Sequence, residues 1–407
     1  MSAPPPLITG LGVVAPTGIG HAEYWRATLA AVNAIGPITR FDSTGYPVRL
    51  AGEIGDVDVA GLVPARLAVQ TDRWTQLGLA ATELALADAG IDPAGLPEYD
   101  MAVITASSSG GNEFGQREIE KLWARGPGHV GAYQSTAWFY AASTGQISIR
   151  HGMRGPCGVL VAEQAGGLDA IASARRALRA DARVAVTGGT EAPLSPYALV
   201  CQLTSGRLSR SDDPARGYLP FDAGAGGHVP AEGGAILIME TAASARERGV
   251  HPGYGALLGY AATFDPPPGS GREPGLRRAV EAALADARLD PTDIDVVFAD
   301  AAGVPSLDRE EATVLRAVFG PYGVPVTAPK TLTGRMYAGG APLDVAAAVL
   351  ALRDAVIPPS SGAITTAVEH RLDLVREGPR EAPLRTALVL ARGYGGFNSA
   401  LIVGTDP

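Results

Sequence analysis

The sequence predicts an α/β protein built from two successive halves of similar plan. Its 407 residues exceed what a single hydrophobic core usually fills. Hydrophobic residues make up 46% of the chain and charged residues 18%, a balance typical of a compact globular protein. Short apolar runs alternate with segments of helical period in two blocks, separated by a polar connector. We therefore expect one half over residues 1–249 and a second over residues 250–407.

The first half divides into elements by its hydrophobic period. An apolar run over residues 7–16 predicts a strand that ends in a Gly/Pro turn, and residues 32–65 are rich in turns. Apolar residues recur at helical spacing from Asp72 to Ala89, and Gly90 supplies a stop. The remaining predicted elements are a helix over 21–31, a strand over 101–105, a helix over 112–123, a strand over 184–187 closed by two glycines, and a strand over 232–240.

The second half repeats this alternation of strands and helices. The predicted strands are 255–263, 296–299 and 324–327, followed by a hairpin of 387–392 and 399–403. The predicted helices are 272–288, 308–319 and 341–355. Such alternation indicates a second α/β unit and is compatible with an internal duplication.

The period of the chain changes at Gln164. Val159–Ala162 predicts a buried strand, whereas Leu168 and Ile171 begin a helical pattern, so the segment predicts a strand, a tight bend and a helix N-terminus. The Arg-rich residues 174–179 are expected to form the solvated face of that helix. Such a bend directs N–H groups and the positive end of the helix dipole at one side chain, often a nucleophilic Cys or Ser.

Glutamine at this bend is incompatible with covalent catalysis. The amide of Gln164 cannot be deprotonated near neutral pH or form an acyl-enzyme, although it offers two donors and an acceptor. The residue is thus either a plain capping and packing residue or the remnant of a nucleophile site.

An aromatic cluster lies between the predicted helix over 112–123 and the bend. Tyr133, Trp138, Phe139 and Tyr140 fall close together in a chain with only 6% aromatic residues. The cluster fits either the hydrophobic core or a subunit interface, where aromatic residues are enriched.

Composition excludes several classes of function. A formal net charge of −9 without a Lys/Arg cluster argues against nucleic-acid binding. Two cysteines give no disulfide framework and no Cys/His spacing suits zinc, so we expect no metal and no cofactor. The N-terminus lacks the pattern of a signal peptide and no apolar run has membrane-spanning length, so a cytoplasmic location is expected.

Several motifs together resemble the β-ketoacyl synthase family of the thiolase fold. They occur in order along essentially the whole chain: 167–170 (GLDA), 221–222 (FD), 232–234 (EGG), Lys330 and 393–397 (GYGGF). The resemblance implies a five-layered αβαβα architecture of two similar halves.

Active members of that family use a cysteine at the bend and two histidines that hold the thioester carbonyl and assist malonyl decarboxylation. The resemblance places Gln164 at the cysteine position and Asp300 and Arg335 at the two histidine positions. Three such changes would remove both the covalent step and the donors that stabilise an enolate.

Residues 162–169 (AEQAGGLD) are specifically similar to the chain length factor, the ketosynthase β subunit of type II polyketide synthases. That resemblance implies a heterodimer with a catalytic ketosynthase α subunit. It also implies that the shared interface encloses a poly-β-ketone chain carried by an acyl carrier protein, and that the β subunit takes part in antibiotic biosynthesis without condensing activity of its own.

In this family the helix that begins near Asn112 lines the polyketide tunnel. Asn112, Gly115 and Ile119 match its inward positions and share one helical face. None is aromatic, so we expect a long product, of about ten ketide units or more, that phenylalanines at 115 and 119 would shorten by steric filling. Alternatively these residues only pack, and other wall residues such as Tyr197 set the length.

Three further interpretations stay open on the sequence. The Gln164 amide could hydrogen-bond a malonyl thioester and support decarboxylation to an acetyl starter. The chain could be an independent condensing enzyme with another nucleophile, although the nearest thiol, Cys157, lies at the wrong end of the strand. It could also be a purely structural interface protein without influence on the product.

Overall fold

The computed structural model describes residues 4–55, 59–250, 253–267 and 269–405. The first half contains these strands: β1 Leu7–Ala15, β2 Gly18–Ile19, β3 Ile35–Pro37, β4 Leu50–Gly52, β5 Met101–Ala106, β6 Cys157–Leu160, β7 Val184–Glu191 and β8 Gly233–Glu240. Its helices are α1 His21–Leu29, α2 Val59–Leu62, α3 Ala65–Ala68, α4 Arg73–Ala89, α5 Asn112–Arg125, α6 Gln134–Ala137, α7 Ala142–His151, α8 Glu163–Ala180, α9 Pro196–Leu203 and α10 Ala242–Glu247.

The second half contains these strands: β9 Gly255–Phe264, β10 Val296–Phe298, β11 Pro325–Thr327, β12 Val356–Ile357, β13 Asp373–Leu374, β14 Arg380–Glu381, β15 Thr386–Arg392 and β16 Phe397–Gly404. Its helices are α11 Leu276–Ala287, α12 Pro305–Phe319 and α13 Gly340–Asp354. The predicted alternation of strands and helices is confirmed in both halves.

The long strands form one continuous mixed sheet. Its order is β13-β11-β10-β15-β16-β9-β1-β8-β7-β5-β6, with β2 paired to β1. The central strands β8, β1, β9 and β16 run antiparallel to their neighbours, whereas β5 with β7 and β10 with β15 are parallel. Because β1 and β9 hydrogen-bond across the two halves, a boundary near Gly249 stays a prediction.

Helices and the strands of the two halves stack in the five expected layers, in the order helix, sheet, helix, sheet, helix. α8 and α13 lie in the middle and contact strands of both halves, β7 and β15 among them. α4 covers β1 and β8 on one outside, and α11 covers β9 and β16 on the other. Residues 340–352 of α13 are buried on every face, which is expected of a helix with sheet on both sides.

The two halves share a contact at residue level that supports internal duplication. A Cβ at Gly10 would lie 2.4 Å from the carbonyl oxygen of Ala85, and a Cβ at Gly259 would lie 2.4 Å from that of Ala283. The backbone N–H after each glycine donates to an aspartate of the same covering helix: Leu11 to Asp88 at 2.8 Å and Tyr260 to Asp286 at 2.9 Å.

The prediction of a buried strand before Gln164 is wrong in its burial. β6 is the last strand of the sheet and pairs only with β5 among the described strands. Cys157 is exposed and the rest of β6 is half-buried, as expected of a strand that has a neighbouring strand on one side only among the described residues.

The Arg-rich segment 174–179 is only partly a solvated face. Arg176 and Arg179 are exposed as expected, but Arg175 is buried. Its guanidinium lies 2.7 Å from the carboxylate of Asp286, across the contact between the halves.

Three elements differ from the expected ones by three residues or more at one end. β7 continues through its glycines to Glu191. Glycine is needed at 188, because a Cβ there would lie 2.2 Å from the carbonyl oxygen of Ala235 on the neighbouring strand. α11 begins only after Pro274 and Gly275, and α12 begins earlier than predicted because Pro305 is suited to the first helical turn.

The interpretation of the aromatic cluster as core is wrong. The exposed fractions are 43% for Tyr133, 44% for Trp138, 49% for Phe139 and 36% for Tyr140. We call these four residues the aromatic face. Such exposure of neighbouring rings is the pattern of an interface rather than of an interior.

Within the described ranges, none of the helices combines the length and apolarity needed to cross a lipid bilayer.

Candidate functional site

The bend before α8 has the strained geometry that the sequence predicts. Glu163 has a φ of 50°, in the left-handed region that few non-glycine residues adopt. The N–H of Tyr394 donates to the Glu163 carboxylate and ties the bend to the loop over residues 393–397. Gly393 is required there, because a Cβ would lie 2.3 Å from the carbonyl oxygen of Ala162. The bend is therefore held from the second half of the chain.

Gln164 follows this strained residue and is completely buried. Its amide Nε2 donates to Oδ1 of Asp300 at 3.1 Å. This orientation of the amide is required, because a carboxylate can only accept hydrogen bonds. The Oε1 atom is buried and has no hydrogen-bond partner among the described residues. One of the two N–H donors of this amide is thus engaged within the protein.

Asp300 accepts most of the hydrogen bonds of the site. Its Oδ1 also accepts from Nη2 of Arg335 at 3.0 Å and from the backbone N–H of Arg392 at 2.9 Å. Burial alone would raise the pKa of Asp300, but the charges of Arg335, Arg392 and Lys330 hold it well below its ordinary value. Asp300 is therefore an ionised carboxylate inside the protein.

Arg335 is also buried, and both of its terminal nitrogens are hydrogen-bonded within the protein. It donates to the carbonyl oxygen of Asp300 at 3.1 Å and to that of Arg392 at 2.9 Å, besides the ion pair with the Asp300 carboxylate. Burial would lower the pKa of Arg335, yet Asp300 and Glu163 raise it well above its ordinary value. The guanidinium stays charged, and its hydrogens point at the protein.

Sequence reasoning missed two members of this cluster. Arg392 places its Nε 3.3 Å from Oδ2 of Asp300. Glu311 accepts from the backbone N–H of Asp300 at 2.8 Å and of Ala301 at 2.9 Å. Arg392 could have been noticed in the sequence, because it is a charged residue at the end of the apolar run of β15. Nothing in the sequence distinguishes Glu311 from other helical glutamates.

Lys330, noted in the sequence as a motif residue, lies beneath this cluster. Its ammonium donates to the carbonyl oxygen of Ala299 at 2.6 Å and lies 2.6 Å from the carboxylate of Asp344. Burial raises the pKa of Asp344 to about 6, although Lys330 opposes that shift. We call Gln164, Asp300, Arg335, Arg392, Glu311, Lys330 and Asp344 the ionic cluster.

Among the described residues, the donors of the ionic cluster named above are directed at a carboxylate of the protein itself. An oxyanion site needs donors aimed at an empty position where negative charge develops. Here the donors of Gln164, Arg335 and Arg392 converge on an internal anion instead. A cavity of about 700 Å³ opens nearby beside Arg207 and Tyr394, but Gln164 does not line it.

The predicted tunnel residues lie apart from the ionic cluster. On α5, Asn112 is half-buried, Gly115 is buried and Ile119 is 45% exposed. Tyr197, on α9, is 48% exposed, and its backbone N–H donates to the side chain of Gln116 at 2.9 Å. The structure thus brings α5 and α9 side by side. Their role in a tunnel stays a prediction.

A buried carboxylate fixes the start of α5. Oδ1 of Asp72 accepts from the N–H of Trp74 at 3.1 Å and caps α4, while Oδ2 accepts from the N–H of Phe114 at 2.7 Å in the first turn of α5. One side chain therefore caps two helices, which compensates for Gly111, an N-cap residue without a side chain.

Comparison with known proteins identifies the family. Residues 6–245 match the model of the β-ketoacyl synthase N-terminal domain, and residues 254–363 match that of the C-terminal domain. The chain therefore belongs to the β-ketoacyl synthase family. Within it, the resemblance to ketosynthase β subunits, or chain length factors, is confirmed.

Individual relatives agree with this assignment. The tetracenomycin polyketide synthase ketoacyl synthase beta subunit of Streptomyces glaucescens is 59% identical and is aligned over 99% of both chains. The 3-oxoacyl-[acyl-carrier-protein] synthase 2 of Staphylococcus aureus is 31% identical over 97% of this chain and all of its own. A solved structure of the ishigamide ketosynthase/chain length factor superposes with a TM-score of 0.89 at 25% identity, covering 100% of both chains. The thiolase fold expected from the sequence is thereby confirmed.

Proposed function

We propose that this chain is the non-condensing subunit of a type II polyketide synthase, and that it shapes the tunnel in which the polyketide grows. It pairs with a catalytic ketosynthase α subunit in the cytoplasm. The substrates are malonyl units and poly-β-ketone chains carried by an acyl carrier protein. The observation that carries the proposal is Gln164: an amide occupies the bend where a nucleophile would stand, and it is buried and bonded to Asp300.

The contribution of such a subunit to the reaction is steric. A growing chain that meets a filled, close-packed wall encounters repulsion that the wall cannot relax. The next condensation on the partner then slows relative to release or cyclisation. Side chains of α5 and α9 that are half-exposed in this chain, such as Ile119 and Tyr197, are available to form that wall.

The surface beside α5 supports the pairing. The aromatic face leaves four neighbouring rings at least one-third exposed. The edge strand β6 ends the sheet on the side of β5, and Val161, which follows β6, is 47% exposed. Unpaired strand edges and clustered aromatic residues are features that a partner subunit covers.

The alternative of a malonyl decarboxylase would need the Gln164 amide to donate to a thioester carbonyl. One N–H of that amide is already bonded to Asp300, and the side chain has no exposed surface through which a thioester could reach the other. The alternative of an independent condensing enzyme would need a thiol at the bend, but Cys157 and Cys201 are both exposed and lie at the start of β6 and on α9. Neither alternative is favoured by a specific contact.

The decisive experiment changes the wall of the assembled heterodimer. Ile119→Phe adds a ring to a half-exposed position on α5, so we expect the main polyketide, identified by mass spectrometry, to become shorter. Ile119→Val is the matched control and should not shorten the product. An unchanged product length in Ile119→Phe, with pairing intact, would contradict the proposal and favour a purely structural subunit.

A second experiment tests the absence of covalent chemistry. The isolated chain is incubated with malonyl-loaded acyl carrier protein and mapped peptide by peptide. We expect no acyl group on the peptide that contains Gln164. Mapping is necessary because Cys157 and Cys201 are exposed and can react nonspecifically. Free acetyl product formed by wild type but not by Gln164→Ala would instead support decarboxylation.

A further inference from the structure

Three glycines at the start of α5 form a groove for another part of the chain. A Cβ at Gly110 would lie 2.4 Å from the carbonyl oxygen of Trp138, and a Cβ at Gly111 would lie 2.1 Å from that of Ala137. A Cβ at Gly115 would lie 3.1 Å from Cδ1 of the Trp138 indole. Residues 137 and 138 are therefore packed directly against the backbone of α5 and its N-terminus.

The backbone of Trp138 is held on both sides in this groove. Its N–H donates to the carbonyl oxygen of Gln134 at 3.3 Å, and its carbonyl oxygen accepts from the N–H of Gly111 at 3.1 Å. The ring of Tyr140 lies 6.0 Å away, tilted by 41°. The position of the indole is thus determined by α5, α6 and a neighbouring ring.

The indole occupies the space that glycine leaves on α5. Trp138 is 44% exposed, so one part of its ring contacts Gly115 while another part remains uncovered. Gly115 shares its helical face with Asn112 and Ile119. The space that glycine leaves at 115 is therefore occupied by the indole of this chain.

We propose that Trp138, seated over Gly115, is a specificity-determining residue that limits polyketide length from the position where α5 itself carries no side chain. The proposal rests on the proposed tunnel function and names the side chain that fills that part of the wall. Gly115 serves as the seat of the indole, since even one added carbon would come closer to the ring than side-chain atoms usually do.

The test is a volume swap in the heterodimer assembled with its ketosynthase α partner. Trp138→Ala removes the indole, so we expect the main product to lengthen by at least one malonyl-derived unit. Adding Gly115→Phe to that variant returns a ring to the same space, and we expect the product to return toward the wild-type length. Trp138→Phe should give an intermediate product, and it serves as the folded variant if the alanine variant does not pair.

A matched control distinguishes an effect of filling the space over Gly115 from an effect of losing interface area. Phe139 belongs to the same aromatic face and is 49% exposed, but Gly115 contacts Trp138 instead. Phe139→Ala is expected to weaken pairing without lengthening the product. Pairing is followed by size-exclusion chromatography for every variant.

The outcomes distinguish the two proposals. If Ile119→Phe shortens the product but Trp138→Ala and Trp138→Phe keep the wild-type length, Trp138 is not a determinant and the tunnel function stands. If Phe139→Ala lengthens the product as much as Trp138→Ala, the effect belongs to the interface as a whole and the inference is overturned. If no wall variant changes length, the tunnel function itself fails.

Discussion

The ionic cluster and the proposed wall of α5, α9 and Trp138 relate to their own chain in opposite ways. Around Gln164, every donor described above is bonded to Asp300 or to a backbone oxygen, and the side chains are buried. Along the wall, Ile119, Tyr197 and Trp138 keep almost half of their surfaces exposed. The difference shows how one scaffold can lose reactivity and keep a binding role: polar groups satisfy one another internally, while apolar surface is left for a partner.

The largest expected effect is the loss of stability when the ionic cluster is disrupted by Asp300→Ala. The change leaves Arg335 and Arg392 buried without the carboxylate on which both converge. Breaking a buried ion pair typically costs roughly 3–5 kcal/mol of unfolding free energy, and we expect a loss of that size by urea denaturation. Asp212→Ala is the control, because its pair with Arg49 is largely exposed and should cost less than about 1 kcal/mol. A loss no larger than in this control would show that the cluster is not strongly coupled.

Asp72→Ala tests how firmly the wall itself is held. It removes the caps of α4 and α5 together, and we expect a loss of roughly 2 kcal/mol at about 1 kcal/mol per cap. Amide hydrogen exchange should rise in the first turn of α5. Asp92→Ala, which removes one exposed cap of a short turn, should cost less and leave exchange in α5 unchanged. Unaltered exchange in the Asp72 variant would mean that packing alone positions α5.

Glu191, at the end of β7, provides a test by pH of the region that leads to α5. Its carboxylate accepts from the N–H of Ser108 and from the Ser109 hydroxyl, in the loop that leads to α5. Burial raises the pKa of Glu191 to about 8 from its ordinary 4.5. The native state therefore retains a proton that the unfolded chain releases, so this stabilisation is complete below the ordinary pKa and is lost as pH rises through about 8.

Glu191→Gln keeps a hydrogen-bonding side chain that cannot ionise. Between about pH 5 and pH 8 the wild type should lose up to roughly 1 kcal/mol of unfolding free energy per pH unit from this group, and the variant should not. Urea denaturation across that range measures the slope. Glu120→Gln changes an exposed glutamate on α5 and should keep the wild-type slope. Equal slopes in all three proteins would show that Glu191 does not titrate in this range.

Local pattern predicted much of the fold. The bend at Gln164 and the alternation in both halves depend on period and on turn residues, which are local properties of the sequence. The edge position of β6 depends on strand order, which no local pattern contains. For this reason the strand was predicted correctly and its burial was not.

The site was predicted in part for a similar reason. Family resemblance located Gln164, Asp300 and Arg335, and the structure places all three in contact. Glu311 joins them from α12, although it is an ordinary helical glutamate in sequence. The contact of Trp138 with Gly115 spans 23 positions of the chain and requires the groove of glycines, so no local pattern in the sequence contains it.

The pairing of Asp300 with Arg335 and Arg392 also constrains how such a lineage can change. A change of Gln164 to cysteine alone would place the thiol beside the Asp300 carboxylate, a negative charge that disfavours the thiolate. Removing Asp300 first would leave the buried cations Arg335 and Arg392 without the carboxylate that they share. Either single change is therefore unfavourable, so the mutual pairing of these charges favours keeping all three residues together.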